Sequence, residues 1–132
     1  MDAPLSCLEA EAEVIGGHPD AALAILIEAL DTSRERGENW FEAELVRRRG
    51  QLLQQRAPAT AEALFKEAIG IARKQEARLW ELRAAASLAR LRRDQGREDG
   101  ARDLLAPVHG WFTEGFDTQD LKEAKALLDE VA

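Results

Sequence analysis

The side chains in this sequence best suited to chemistry are arginines. Arg47, Arg48 and Arg49 fall on one helical stretch, and Arg83, Arg90, Arg92 and Arg93 on another. A guanidinium stays charged at any ordinary pH, so it binds rather than moves protons. Its planar fork of N–H donors matches a carboxylate two bonds at a time. The chemistry on offer is therefore recognition of an acidic group. Nothing comparable points to catalysis. His18 sits in a His-Pro-Asp turn and His109 beside Gly110, so a metal site built on either would need a partner chain. The chain has no G-x-x-x-x-G-K-[ST], no G-x-G-x-x-G after a strand, no H-E-x-x-H and no G-x-S-x-G. Acidic pairs such as Glu42/Glu44 and Glu9/Glu13 suit solvated helix faces better than acid–base work. Cys7 reads as a half-buried small apolar residue. The expectation is no enzyme, no metal and no cofactor.

Composition narrows what can carry those arginines. A chain of 132 residues makes one domain, large enough to bury roughly 68% of the surface its unfolded form exposes. Apolar residues at 45% and charged ones at 33% describe a folded, soluble protein rather than a disordered one. Ala, Leu, Glu and Arg dominate, and residues favouring strands are sparse, so the fold class is all-α. With one cysteine no intrachain disulfide forms, which fits a reducing, cytoplasmic setting. No run approaches the ~18 apolar residues that span a bilayer, and no basic region marks a signal peptide. A net charge of -7 argues against nucleic acid as a partner. The acids gather at the ends, at Glu9, Glu11 and Glu13 and again at Glu114, Asp117, Asp120, Asp129 and Glu130, leaving the middle basic.

Helical periodicity and punctuation divide the chain into seven segments. They run about Pro4–Ile15, Pro19–Arg36, Asn39–Gln55, Ala59–Gln75, Arg78–Gln95, Glu98–Trp111 and Gln119–Val131. Gly16-Gly17, Gly37, Pro58 and Gly96 mark turns, and Pro107 is placed to kink the sixth segment. Asp117 or Thr118 would cap the last segment, with Phe116 as a staple.

Two stretches repeat about 40 residues apart. Phe41 to Leu45, Arg49-Gly50 and Ala61 to Ala68 correspond to Trp80 to Ala84, Leu88-Ala89 and Ala101 to Val108. Ala22, Leu26 and Ala29 recur as Ala61, Phe65 and Ala68, then as Ala101, Leu105 and Val108. Small residues let helices approach, and the larger one fills the space beside them. Gly50 and Ala89 serve as matching crossing points in the first helices. The first-helix offset is 39 and the second-helix offset 40, which predicts a turn near Arg56 one residue shorter than that at Gly96. A fixed period of this size means stacked helical hairpins, none able to bury its apolar face alone.

This pattern resembles the tetratricopeptide repeat (TPR). Arg49-Gly50 stands where that family prefers Leu-Gly, and Ala61…Phe65…Ala68 matches its second helix, although the period here is longer than the family's ~34 and no Pro closes the repeats. From about Trp40 to Ala132 the chain also resembles the C-terminal repeats of large bacterial regulators. There, an adenylate/guanylate cyclase-like or DNA-binding domain precedes an AAA-type ATPase module. The block Trp111-Phe112-Thr113-Glu114-Gly115-Phe116-Asp117-Thr118, followed by Leu121 and Glu123-Ala124-Lys125, carries most of that likeness. The resemblance implies a right-handed superhelix of three TPR-like hairpins, at about 4–37, 39–76 and 78–112, closed by a capping helix at about 118–131. It further implies a fragment or stand-alone relative that senses or scaffolds.

In such a superhelix the first helices line the concave face. The groove-facing positions would then be Glu44, Arg47, Gln51, Gln54 and Gln55, and next Arg83, Ala86, Arg90, Arg93 and Asp94. An acidic segment or chain terminus is the implied ligand. The blander alternative is that these arginines are solvated and paired with nearby acids, such as Glu44 with Arg48. Trp40 and Trp80 would pack at hairpin junctions, and Trp111 and Phe112 under the capping helix. The leading functional expectation is a protein–protein interaction module. A small-molecule-sensing regulatory domain is the alternative, and self-association through the N-terminal end around Leu5, Leu8 and Val14 is a further expectation.

Overall fold

A computed structural model describes residues 17–37, 41–112 and 118–130, with Pro19 and Asp99 described by their backbone alone. The expected first segment, Trp40 and the loop carrying Phe116 and Asp117 lie outside the described residues. Those described form six helices and no strand: α1 (Pro19–Arg36), α2 (Glu42–Leu53), α3 (Pro58–Lys74), α4 (Arg78–Asp94), α5 (Glu98–Trp111) and α6 (Gln119–Glu130). No helix among them is long and apolar enough to cross a membrane.

Local chemistry sets the ends. Pro19 and Pro58 open α1 and α3, where the missing N–H would have had no helical partner. Gly37 closes α1 in the left-handed region. The turns after α3 and α4 are built alike, with Glu76 at φ 54° and Gly96 at φ 76°. The Ala77 N–H reaches the Ala72 carbonyl at 2.9 Å, and the Arg97 N–H reaches that of Arg92 at 2.7 Å. This is the Schellman closure that glycine normally makes cheap. The turn near Arg56 corrects the expectation of a shorter link. Four residues separate Leu53 from Pro58, but only three separate Asp94 from Glu98. The offset arises because α4 continues further past Ala89 than α2 does past Gly50. Helix α5 runs unbroken through Pro107. The Thr118 carbonyl accepts the first helical bond of α6 from the Lys122 N–H at 3.0 Å, so Thr118 holds the N-cap position.

Each helix packs on the next, and in addition α2 touches α4 and α4 touches α6. Helices α2, α4 and α6 therefore run side by side. The repeated triplets form the core: Ala22, Leu26, Ala61, Phe65, Ala68, Ala101, Leu105 and Val108 are buried, with Ala29 partly so. Gly50 is a true close approach. A Cβ placed there would lie 2.6 Å from the Phe65 ring. Ala89, its counterpart on α4, is fully buried.

The aromatic expectations divide. Trp80 is buried and meets Phe41 edge-on at 5.1 Å. Trp111 instead is 55% exposed, with the Arg78 guanidinium 5.0 Å above its ring. Trp111 is the last residue of the helix, whereas Phe112 already has extended backbone, so the two side chains leave in different directions. Phe112 takes the inward position and packs on the core.

The Gly50 contact gives a paired prediction. Gly50→Ala forces the Phe65 ring to move, an overpacking cost of about 1–3 kcal/mol, against a helix-propensity gain of about 1 kcal/mol. It should lower unfolding free energy in urea by about 1 kcal/mol. Gly70→Ala, also mid-helix, has no atom within 4 Å of the added Cβ. It should raise stability by about 0.5–1 kcal/mol. Equal effects of the two would contradict the packing described.

Candidate functional site: an arginine-lined cleft on α2, α4 and α6

The site is organised by one buried carboxylate. The Glu44 side chain has no exposure to solvent, because α2 is covered by α4 where it sits. Its Oε2 accepts a hydrogen bond from Arg47 Nε at 2.9 Å, and its Oε1 accepts a shorter one from Arg47 Nη2. Arg48 Nε donates to Oε1 at 3.3 Å, and Arg83 Nη1 on α4 lies 3.5 Å from the same oxygen. Burial alone would push the Glu44 carboxyl up. The Arg47 hydrogen bond and the charges of Arg47, Arg83 and Arg48 outweigh that and hold it below the ordinary carboxylate range.

Two of these arginines reach further. Arg47 Nη1 donates to Ser87 Oγ on α4 at 3.2 Å. Arg83 is chelated by Asp120 on α6, its Nε lying 3.1 Å from both carboxylate oxygens, while its guanidinium stacks 4.9 Å over Trp80. A continuous run of charge, Glu44–Arg83–Asp120, therefore joins three helices. Helix α6 repeats the arrangement along its length. Arg90 Nη2 donates to Glu123 Oε2 at 3.4 Å. Arg93 is paired with Glu130 and with Asp94.

Above this run lies a cleft of about 220 Å³, lined by Arg47, Arg48, Gln51, Leu82, Arg83, Ala86, Arg90, Asp120 and Glu123. A second, of about 400 Å³, continues along α4 and α6 past Arg93, Leu127 and Glu130. Among the described residues no group of His, Cys, Asp and Glu is arranged to hold a metal ion. What the first cleft can do is bind. It presents cationic forks and one amide, with carboxylates of α6 along its edge.

Of the residues expected on this surface, Arg47, Gln51, Arg83, Ala86 and Arg90 line the first cleft, and Arg93 the second. Glu44 does not line either; it lies beneath, gripping the arginines. Glu44 is also no solvated face residue, and neither is Glu42, which is 14% exposed and bound by Arg34. Gln54 is half-buried at the end of α2 and Gln55 is exposed in the turn. Arg92, which was not expected on this surface, lies away from it. It turns toward Glu62 and the Gly100 carbonyl.

Sequence reasoning missed the role of α6, whose Asp120, Glu123 and Glu130 face the arginines of α4. It also missed a repeated tie, from α1 to α2 and again from α3 to α4. Arg34 with Glu42 and Arg73 with Glu81 are pairs eight residues apart, each at 2.9 Å. The two pairs lie one period from each other, so the repeat itself carried that signal.

The depressed Glu44 carboxyl makes stability depend on acid. In the unfolded chain it titrates near 4.5, and in the folded chain lower. Its contribution is therefore present above about pH 4.5 and is lost as pH falls through the folded value. Glu44→Gln should cost about 2–4 kcal/mol at neutral pH, somewhat less than a fully buried pair because the arginines are partly exposed. It should also flatten the acid side of the stability curve, measured by urea unfolding from about pH 3 to 7. An unchanged acid slope would contradict this account of Glu44.

No protein-family model, no curated protein and no solved structure matches this chain.

Proposed function

We propose that this chain is a non-catalytic interaction module that binds an acidic protein segment along the face formed by α2, α4 and α6. In this reading the hairpins stack as a right-handed, TPR-like superhelix within a cytoplasmic signalling or transcription regulator. Helices α2 and α4 are first helices of successive hairpins and form the concave side. Helix α6 is the cap. Its apolar stripe, Leu121, Ala124 and Leu127, is buried, while Lys122, Lys125 and Asp129 remain exposed. A polar outer face is what a terminal element of a repeat array needs.

The observation that carries the reading is the convergence of Arg47, Arg48, Arg83 and Arg90 with Gln51 on one cleft. The forks suit carboxylates, and long side chains on neighbouring helices allow an extended segment to be met at several points. A second reading, sensing of a small anionic effector, draws on the modest cleft volume and on Trp80 stacked beneath Arg83. Stabilisation against heat by small dicarboxylates, in the absence of peptide binding, would favour it.

Titration with a set of acidic peptides at low salt tests the proposal. Arg90→Glu is the informative variant, since Arg47 is committed to holding Glu44. The expected result is binding that weakens with salt and falls roughly ten-fold or more in Arg90→Glu. Binding unaffected by Arg90→Glu, or absent from every peptide, would overturn it.

A further inference from the structure

Of the arginines that line the first cleft, Arg90 is the least committed, and Glu123 is the residue paired with it. Arg47 is fixed by Glu44 and Ser87, and Arg83 by the two oxygens of Asp120 and by the Trp80 ring. Among the described residues, Arg90 has one long contact of 3.4 Å, made through Nη2 alone, with side chains 36% and 47% exposed. Glu123 also has somewhere else to go. Its Oε1 accepts a hydrogen bond of 2.7 Å from Gln119 Nε2, one turn earlier on α6. That bond is shorter than the contact with Arg90 and does not require it.

We propose that Glu123 is a specificity-determining competitor built into the cleft: a ligand carboxylate gains Arg90 by displacing Glu123, which then rests on Gln119. This rests on the reading of the cleft as a site for acidic segments. A single-point contact at 3.4 Å is weaker than the two parallel bonds a free carboxylate makes with a guanidinium fork. Exchange therefore favours a ligand able to bind Arg90 side-on. A segment offering only a neutral amide or hydroxyl gains less from Arg90 than Glu123 already gives, and is rejected. Helix α6 itself stays in place, held by Leu121, Ala124 and Leu127 in the core and by the Asp120–Arg83 chelate. One side chain moves; the fold does not.

The test uses an N-acetylated hexaglutamate peptide as probe, titrated calorimetrically at fixed low salt into the whole chain and its variants. Glu123→Gln should bind roughly two- to five-fold more tightly, the range expected for removing one exposed competing ion pair. Gln119→Ala should bind more weakly, because Glu123 loses its second partner and holds Arg90 harder. In an Arg90→Ala background Glu123→Gln should bring no gain. Wild-type binding with no gain in Glu123→Gln, or a gain that persists without Arg90, would overturn the inference and leave the module reading standing. Failure of every variant to bind the peptide would sink both. All three positions are at least one-third exposed, so unchanged thermal unfolding should accompany each change and exclude misfolding as the cause.

Discussion

A carboxylate removed from water must be matched by positive charge and hydrogen bonds, or the chain will not fold around it. Glu44 imposes that requirement here. It takes two guanidinium groups from its own helix and a third from α4. Arg83, drawn in by Glu44, is then held from the other side by Asp120 of α6. The order in which α2, α4 and α6 lie side by side is thus written in alternating charge. Stacked apolar faces alone tolerate sliding, whereas a chelated arginine fixes the register. The nonpolar counterpart lies on the other side of α2, where Gly50 gives way to the Phe65 ring.

The same arrangement limits what the surface can offer a partner. An acidic protein with a basic stripe looks, from composition, like one that exposes that stripe. In the folded chain most of the charge is spent internally: Glu44 lies under the arginines, and α6 brings Asp120, Glu123 and Glu130 against α4. What remains is a small cleft in which cations still outnumber the carboxylates along its edge. Recognition of the kind proposed would depend on exchange between internal and external carboxylates, and so on ionic strength, more than on an open field of positive charge.

Much of the fold was legible in the sequence, because helical spacing and turn residues are local signals. Pro58, Gly37 and Gly96 marked ends that the structure has, and the small–large–small triplets mark the core. Glu76 shows the limit. It adopts the left-handed turn that Gly37 adopts one repeat earlier, yet nothing in its residue type announces a turn. Trp111 shows another, since its type predicts burial while its position at the end of α5 leaves it outside. For the site, periodicity identified the face on which Arg47, Arg83 and Arg90 lie. It did not identify their partners. Arg83 meets Asp120 at a separation of 37 residues, and no local pattern reveals which of several acids on α6 will face which arginine. Glu44 was misread for the same reason, because the α4 residues that cover it lie about 40 positions further along the chain.

The most direct measurement is a double-mutant cycle between Glu44→Gln and Arg83→Gln, read as unfolding free energy in urea at neutral pH. The stacking of Arg83 on Trp80 is lost in both backgrounds and cancels, leaving the interaction across α2 and α4. A coupling of about 1 kcal/mol or more is predicted, within the range for residues sharing one ion-pair network. Costs that simply add, to within about 0.3–0.5 kcal/mol, would mean that Glu44 does not hold the two helices in register.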